Sequence, residues 1–246
     1  MFRYQVLIEY IGTSFVGWQI QSKGKSIQKE IQVKLSKLLK EKVVLIGSGR
    51  TDTGVHAIEQ SAHFDCKKEI QNLDKLLKSI NHFINDKGIS ILAIKKRSLK
   101  FHARHSAKQR IYKYIIFNQL SAPVIEKKRG WHVRKSLDLD LIKKGAKKLV
   151  GTHDYSTFRA SSCNAKSPIK TMKSILIKSK YGKIEIQFKS QSFLQQQVRS
   201  MVGSLKYLAE NKWNLKKFEF VIKSKKRIFC APPAPAEGLF LEKFIY

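Results

Sequence analysis

A short segment around Asp52 carries the residues of this chain that are best suited to chemistry. Its carboxylate lies two residues after the Arg50 guanidinium and four residues before the His56 imidazole. A neighbouring positive charge favours the anionic form of a carboxylic acid, so we expect Asp52 to be ionised at neutral pH. Gly49 and Gly54 carry no side chain, so they allow a ligand to approach the backbone closely. The segment predicts an anionic carboxylate in a loop that can meet a ligand.

The same pattern also fits a structural turn. An Asp beside glycine often accepts a hydrogen bond from its own backbone in an Asx turn. A single His after an apolar residue is most often structural, so we assign no acid or base role to His56. Taken by itself, this segment leaves the catalytic and the structural interpretations of Asp52 both open.

The charge of the chain points to a polyanionic partner. Its 246 residues contain 49 Lys and Arg against 18 Asp and Glu, which gives a formal net charge of +31. The hydrophobic fraction of 42% excludes a disordered basic tail. Many lysines are simply solvated, but the scarcity of acids along the whole length favours a nucleic acid partner. We therefore expect affinity for that partner to fall steeply with salt.

Metal and nucleotide cofactors find no support in the sequence. His102 and His105 have the spacing of zinc ligands, but no third ligand stands at a supporting distance. The only other acid near Asp52 is Glu59, whereas divalent ions in phosphoryl chemistry need several carboxylates. The chain contains neither a Walker-type phosphate loop nor a G-x-G-x-x-G motif. We expect a protein that works without a cofactor or a metal.

The location of the protein is predicted from its cysteines and its N-terminus. The three cysteines are far apart and form no C-x-x-C pair, which fits a reducing compartment. The first ten residues alternate like a strand and do not resemble a signal peptide. No window approaches the ~20 apolar residues of a membrane span. We expect a cytoplasmic protein that does not enter membranes.

Strand and helix patterns alternate twice along the chain. In the first half, strands are predicted at 2–11, 43–46, 57–66 and 89–94, and helices at 27–39, with Ser26 as N-cap, and at 73–84. In the second half, strands are predicted at 110–117, 172–177, 183–188 and 239–246, and helices at 137–150, 194–208 and 218–222. The pattern predicts an α+β fold of two pseudo-duplicated halves, 1–105 and 106–246. Each half would be an antiparallel sheet with helices, with a cleft between the two sheets.

Two segments of the second half contain further candidates. Tyr112 lies on a predicted strand where aromatic and basic residues alternate, and an exposed ring there can stack on an extruded base. A half-buried core tyrosine is the alternative. Arg199 lies on the predicted helix 194–208, either on the surface or turned inward to pair with a carboxylate. Gly203 on that helix predicts close packing, because glycine costs about 1 kcal/mol relative to alanine in a helix.

Together these segments resemble the TruA family of tRNA pseudouridine synthases, nearly from end to end. The motifs occur in the family's order, and one alone would be weak. They are Gly17-Trp18-Gln19, Ser26-Ile27-Gln28, the segment from Gly49 to His56, Phe101-His102-Ala103-Arg104, Arg110 to Tyr114, Ser156 to Ala160, Val198 to Gly203, and Ala236-Glu237-Gly238-Leu239. Gln195-Gln196-Gln197 departs from the usual family pattern before the Val-Arg pair.

The resemblance implies a reaction and its partners. The reaction would be the isomerisation of uridine to pseudouridine at positions 38, 39 and 40 in the anticodon stem-loop of tRNA, by base flipping and without a cofactor or metal. The two α+β halves would flank a basic central cleft. The protein would act as a homodimer that binds one tRNA across both subunits.

The resemblance also implies roles for single residues. Asp52 would be the catalytic carboxylate, by attack on C1′ or by removal of the 2′ proton. Tyr112 would stack on the target base, Arg199 would pair with Asp52, Arg50 would hold the flipped nucleotide, and Leu239 would line the pocket. Two other classes remain as alternatives: a catalytically silent tRNA-binding module, and a phosphodiester-cleaving enzyme that would need a metal cluster or a His pair.

Overall fold

The computed structural model describes all 246 residues and divides them into two compact units. The first unit contains residues 1–108 together with 240–246, and the second contains residues 109–239. The predicted boundary lay between residues 105 and 106, with the last strand assigned to the second half. In the structure that strand pairs within the first unit. This is a long-range pairing that the local hydrophobic pattern does not encode.

The chain forms ten strands and five α-helices. The strands are β1 (Phe2–Tyr10), β2 (Ile46–Gly47), β3 (His56–Cys66), β4 (Ile89–Arg97), β5 (Gln109–Phe117), β6 (Trp131–His132), β7 (Gly151–Asp154), β8 (Ile169–Lys180), β9 (Lys183–Ser190) and β10 (Leu239–Ile245). The helices are α1 (Ile27–Leu39), α2 (Leu73–Ile84), α3 (Leu139–Leu149), α4 (Gln197–Ala209) and α5 (Leu215–Lys223). The predicted α+β class is confirmed.

The sheet of the first unit is centred on β1 and β3. These two strands are antiparallel, with Phe2 opposite Cys66, and β4 pairs antiparallel with the other edge of β1. β10 runs parallel to β3, with Phe240 opposite His56, so this sheet is mixed and the purely antiparallel prediction was wrong there. The even-numbered side chains from Tyr4 to Tyr10 of β1 are buried, because successive side chains of a strand point to opposite faces.

The second unit contains an antiparallel sheet in the order β5-β9-β8-β7. The short β6 adds a parallel pairing to β5, which the sequence pattern did not predict. Helices α3, α4 and α5 bury their apolar sides, including Ile142, Leu205 and Phe218. The hairpin predicted about Tyr181 and Gly182 is confirmed, because β8 ends and β9 begins on either side of them.

Helix starts follow the predicted capping chemistry. The Ser26 side chain accepts a hydrogen bond from the Lys29 amide at the start of α1, as predicted. Helix α4, in contrast, begins at Gln197 and not at residue 194. Gln196 adopts a left-handed backbone with φ 58°, and the Gln197 side-chain oxygen accepts from the Leu194 amide at 2.8 Å. The glutamines therefore hold the residues before α4 in a turn.

The predicted strand at 43–46 was wrong, since only Ile46–Gly47 pairs as a strand. The Val43 amide donates to Ser36 Oγ at 3.0 Å, and the Leu45 amide donates to the Gln32 side-chain oxygen at 3.0 Å. Both acceptors lie on α1. The backbone donors of this apolar run are thus satisfied by helix side chains, so it needs no partner strand.

Candidate active site

Asp52 lies in the loop between β2 and β3, which we call the Asp52 loop (residues 48–55). The Asp52 side chain is partly exposed, and its carbonyl oxygen accepts a hydrogen bond from the Val55 amide at 3.1 Å. Gly54 has φ 81°, a conformation that favours glycine, and this allows the chain to turn directly before β3. The backbone therefore closes a tight turn that carries Asp52.

The residues on both sides of Asp52 are fixed by side chains and backbone of the first unit. Thr51 Oγ1 lies 2.7 Å from Tyr10 Oη, and the Thr51 carbonyl accepts from the Trp18 amide at 3.1 Å. Thr53 Oγ1 donates to the Val16 carbonyl at 3.1 Å. These bonds hold Asp52 in a defined position before any ligand arrives, which is the preorganisation that a reactive group needs.

Two glycines allow the segment 12–17 to lie directly against the Asp52 loop. A Cβ atom on Gly12 would stand 1.9 Å from the Val55 carbonyl oxygen. A Cβ atom on Gly17 would stand 2.5 Å from the Thr51 carbonyl oxygen, and Gly17 also has φ 108°. Any side chain at either position would push the two segments apart. The glycines are thus required by the packing of the loop.

His56 is a structural residue, as the sequence interpretation favoured. Its Nδ1 atom accepts a hydrogen bond from the Gly12 amide at 3.2 Å, and its ring stacks on Phe240 at 4.7 Å between centroids. The residue is 1% exposed. Its lone pair at Nδ1 is already used to hold the segment that packs on the Asp52 loop.

Arg50 and Asp52 share this loop in the first unit, and the Arg50 side chain is exposed. The other three predicted site residues, Tyr112, Arg199 and Leu239, belong to the second unit. The proposed pairing of Asp52 with Arg199 therefore stays a prediction. The surroundings of each residue within its own unit are nevertheless defined.

Tyr112 lies on β5 with a partly exposed side chain, edge-to-face with Phe193 at 5.0 Å between ring centroids. The next tyrosine on the same face, Tyr114, is fully buried, and its hydroxyl donates to the Pro235 carbonyl at 2.8 Å. Burial raises the pKa of Tyr114 well above its usual value. Tyr114 is therefore a core residue, whereas Tyr112 is partly exposed, so both the stacking role and the half-buried core role remain possible for Tyr112.

Arg199 is held on α4 by a crossing segment of the same unit. Its Nε donates to the Ala234 carbonyl at 2.7 Å, and the Ala234 amide donates to the Arg199 carbonyl at 2.9 Å. One helical turn later, a Cβ atom on Gly203 would stand 2.1 Å from the Pro232 carbonyl oxygen. The close packing predicted at Gly203 is confirmed, and it brings Ala234 within reach of Arg199.

Replacing Gly203 with alanine is expected to lower the free energy of unfolding by about 2 kcal/mol, because a rigid backbone carbonyl has to move. Gly145 on α3 is the matched control: a Cβ atom there would meet the Cδ2 atoms of Leu208 and Leu205 at 2.6 and 2.9 Å. Those are ends of flexible side chains, and alanine gains about 1 kcal/mol of helix propensity. Denaturant unfolding should show a larger loss for Gly203→Ala, and equal losses would contradict this account.

Leu239 is the first residue of β10 and the last residue of the second unit, and its side chain is buried. The preceding residue, Gly238, lies so close to Tyr114 that a Cβ atom would stand 2.5 Å from the ring carbon Cζ. Tyr114 thus fixes both Gly238 and, through its hydroxyl, Pro235. This arrangement sets the backbone path that leads into Leu239.

Sequence reasoning missed several residues that support these groups, including Tyr10, Gly12, Pro232 and Ala234. Strand alternation places Tyr10 on the buried face of β1, but it does not identify Thr51 as its partner. For Ala234, a proline-rich stretch indicates only an extended segment. These partners are distant in sequence, and no local pattern connects them.

His102 and His105, which have the sequence spacing of zinc ligands, belong to a cluster of three histidines in the first unit. The ring of His63 lies 4.7 Å from that of His102, which lies 4.3 Å from that of His105. His63 Nδ1 accepts from the Ala103 amide, and His102 Nδ1 accepts from the amides of Arg104 and His105. No group of three or more His, Cys, Asp or Glu residues in the structure is arranged to hold a metal ion.

Burial, together with the charges of Arg3 and His102, lowers the pKa of His63 from 6.5 to about 4, against a smaller opposing effect of Asp65. The unfolded chain takes up this proton below pH 6.5, while the folded chain does so only near pH 4. The contribution of His63 to the free energy of unfolding is therefore fully present above pH 6.5. It is lost as pH falls towards 4, by up to ~3 kcal/mol.

His63→Asn should reduce this pH dependence. The asparagine oxygen can accept the hydrogen bond from the Ala103 amide without titrating. Urea unfolding at pH 7, 5.5 and 4.5 measures the effect, and equal losses of stability in both proteins would contradict the assignment.

No helix of the structure is both long enough and apolar enough to cross a membrane.

A family model described as tRNA pseudouridine synthase matches the chain twice, at residues 6–106 and again at 146–246. This double match supports the two pseudo-duplicated halves that the sequence pattern predicted.

Three curated relatives are similar along nearly their whole length. "tRNA pseudouridine synthase A" of Pelagibacter ubique (strain HTCC1062) is 89% identical over 246 residues, which is 100% of both chains.

The other two relatives carry the same description and are more distant. The protein of Parvibaculum lavamentivorans (strain DS-1 / DSM 13023 / NCIMB 13966) is 38% identical over 244 residues, 99% of both chains. That of Neorickettsia sennetsu (strain ATCC VR-367 / Miyayama) is also 38% identical over 244 residues, covering 99% of this chain and 100% of the relative.

Proposed function

Because this chain belongs to the family of tRNA pseudouridine synthases, we infer that it isomerises uridine to pseudouridine in tRNA. The observation that carries this conclusion is the match of the family model to both halves, together with the 89% identity of a full-length relative described as such an enzyme. The net charge of +31 supports a polyanionic substrate.

The reaction balances without any added group. The bond between C1′ of the ribose and N1 of uracil breaks, the uracil turns while it is retained, and C5 forms a bond to C1′. The proton on C5 is then lost and N1 gains one, so no electron acceptor is required. Since a stacked and paired base cannot turn in this way, the target nucleotide has to leave its stack, at a cost of a few kcal/mol.

Asp52 is the proposed catalytic carboxylate. It acts either by attack on C1′ or by removal of the 2′ proton, and these two routes both remain open. Support comes from its position in a loop fixed on both sides by Tyr10, Trp18 and Val16. A carboxylate held in this way needs little reorganisation during the reaction.

The remaining site residues are proposed from the family resemblance and their local surroundings. Tyr112 stacks on the target uracil, which its partly exposed ring permits. Arg199, aligned on α4 by Ala234, pairs with Asp52 and keeps it ionised. The exposed Arg50 holds the flipped nucleotide, and Leu239 lines the pocket for the base.

We also propose a narrower substrate and setting. The target uridines lie in the anticodon stem-loop, the enzyme acts in the cytoplasm, and it works as a homodimer that binds one tRNA across both subunits. These proposals rest on the family resemblance. The absence of a C-x-x-C pair supports a reducing compartment.

The decisive experiment is pseudouridine mapping of unmodified tRNA transcripts after incubation with the protein, in buffer with a chelator and without nucleotides. We expect new pseudouridine in the anticodon stem-loop. Modification at another position of the tRNA would support the proposed reaction and contradict the proposed location in the anticodon stem-loop. Tight binding of tRNA without any modification would reject the enzyme and favour a silent binding module.

A further inference from the structure

A cluster of three hydroxyl groups, from two buried serines and the partly exposed Tyr246, lies at the start of the Asp52 loop, within the first unit. Ser48 Oγ lies 2.6 Å from Tyr246 Oη, and Tyr246 Oη donates to Ser61 Oγ at 2.7 Å. The same phenol oxygen lies 3.0 Å from the Ala103 carbonyl. Ser48 and Ser61 are each 1% exposed. Hydrogen bonds to buried serine hydroxyls fix geometry, because water reaches the serines poorly and competes little for them.

The segment that carries Tyr246 makes a second contact with the loop. A Cβ atom on Gly49 would stand only 3.2 Å from Cζ of Phe244, so the Phe244 ring covers Gly49 directly. From the other side, the Gln60 side-chain amide donates to the Gly49 carbonyl at 2.9 Å. The start of the loop is therefore held between β3 and the end of the chain.

The loop thus has two anchors. The first holds Ser48 and Gly49, and the second holds Thr51 through Tyr10 and Trp18. Arg50 alone separates the two anchors, and Asp52 follows directly after the second. Because only Arg50 separates the anchors, we expect a change at Ser48 to reach Thr51 through the backbone and to alter the direction in which the Asp52 carboxylate points.

We propose that Tyr246 is a positioning residue for Asp52, which acts through its hydrogen bond with Ser48. This inference rests on the proposed function, since it assumes that Asp52 reacts with uridine. Orientation of a catalytic group strongly affects the rate of the chemical step, whereas affinity for tRNA comes mainly from phosphate contacts spread over a basic surface. Loss of the Tyr246 hydroxyl should therefore slow the reaction and leave binding unchanged.

The test is Tyr246→Phe, measured as the single-turnover rate constant at saturating tRNA and as the Kd for the same tRNA. We expect the rate constant to fall about tenfold and Kd to remain the same. The variant should fold, because the Ser48 hydroxyl can then donate to the Ala103 carbonyl at 2.8 Å, and Ser61 Oγ still accepts from the Gln5 side-chain amide at 2.8 Å. The ring also keeps its contact with Phe101.

Tyr4→Phe is the matched control. It also removes a tyrosine hydroxyl from the first unit, one that accepts from the Ile70 amide at 2.9 Å and has no bond to the Asp52 loop. We expect a similar loss of stability and no change in the rate constant. A rate constant for Tyr246→Phe equal to that of the wild type, or an equal fall in Tyr4→Phe, would overturn the proposal.

Ser48→Ala separates the positioning path from a local effect of the tyrosine. If Tyr246 acts through Ser48, the double variant should be no slower than the slower single variant, because both changes break one path. If the fold reductions in the rate constant of the two single variants multiply in the double variant, Tyr246 does not act through Ser48. Failure of the wild type to form pseudouridine would instead reject the proposed function, so the two failures are distinguishable.

Discussion

Asp52→Asn is expected to reduce the rate of pseudouridine formation by about 10⁴-fold or more. Asparagine keeps the size of the side chain but removes the charge, so it neither attacks C1′ nor accepts the 2′ proton. The Thr51 backbone bond and the Thr53 side-chain bond do not involve the carboxylate and should persist. The measurement is single-turnover pseudouridine formation on a tRNA transcript, with tRNA affinity determined in parallel.

Glu59→Gln supplies the control for this prediction. Glu59 is the only other acid near Asp52 in the sequence and lies on β3, so it tests whether any loss of negative charge has the same effect. We expect it to retain nearly full activity. Substantial activity in Asp52→Asn would reject Asp52 as the catalytic carboxylate, and loss of activity only in Glu59→Gln would transfer that role to Glu59.

Gly12→Ala should give the second largest effect, a fall in the rate constant of about 100-fold. Its new methyl group would stand 1.9 Å from the Val55 carbonyl oxygen, so the segment at 12 and the Asp52 loop have to separate. The hydrogen bond from the Gly12 amide to His56 would lengthen with them. We also expect the free energy of unfolding to fall by about 2–3 kcal/mol, as overpacking against a rigid group does.

Ser14→Ala is the matched control, because Ser14 lies in the same helical turn but is exposed to solvent. It should leave the rate constant unchanged and should change the free energy of unfolding by no more than about 0.5 kcal/mol. Kinetics should be measured well below the unfolding midpoint of each variant. A stable Gly12→Ala protein with full activity would show that the contact with Val55 does not position the loop.

The sequence by itself determined the class of the fold and the candidates for the site. Hydrophobic periodicity is a local signal, so helices α1 and α2 and strands β1, β3 and β4 could be placed closely. The segment from Gly49 to His56 made Asp52 a candidate, because charge and glycine occur within a few residues. Likewise Gly203 indicated close packing, since a glycine inside a helix needs a reason.

Only the tertiary structure decided which distant groups hold these candidates. The pairing of β10 with β3, the contact of Gly12 with Val55 and the hydrogen bonds of Tyr246 join residues more than 40 positions apart. Local patterns also failed where side chains replaced backbone partners, as Ser36 and Gln32 do for residues 43–45. The physical reason is the same in each case: propensity acts between neighbours in the chain, whereas packing and hydrogen bonding act between neighbours in space.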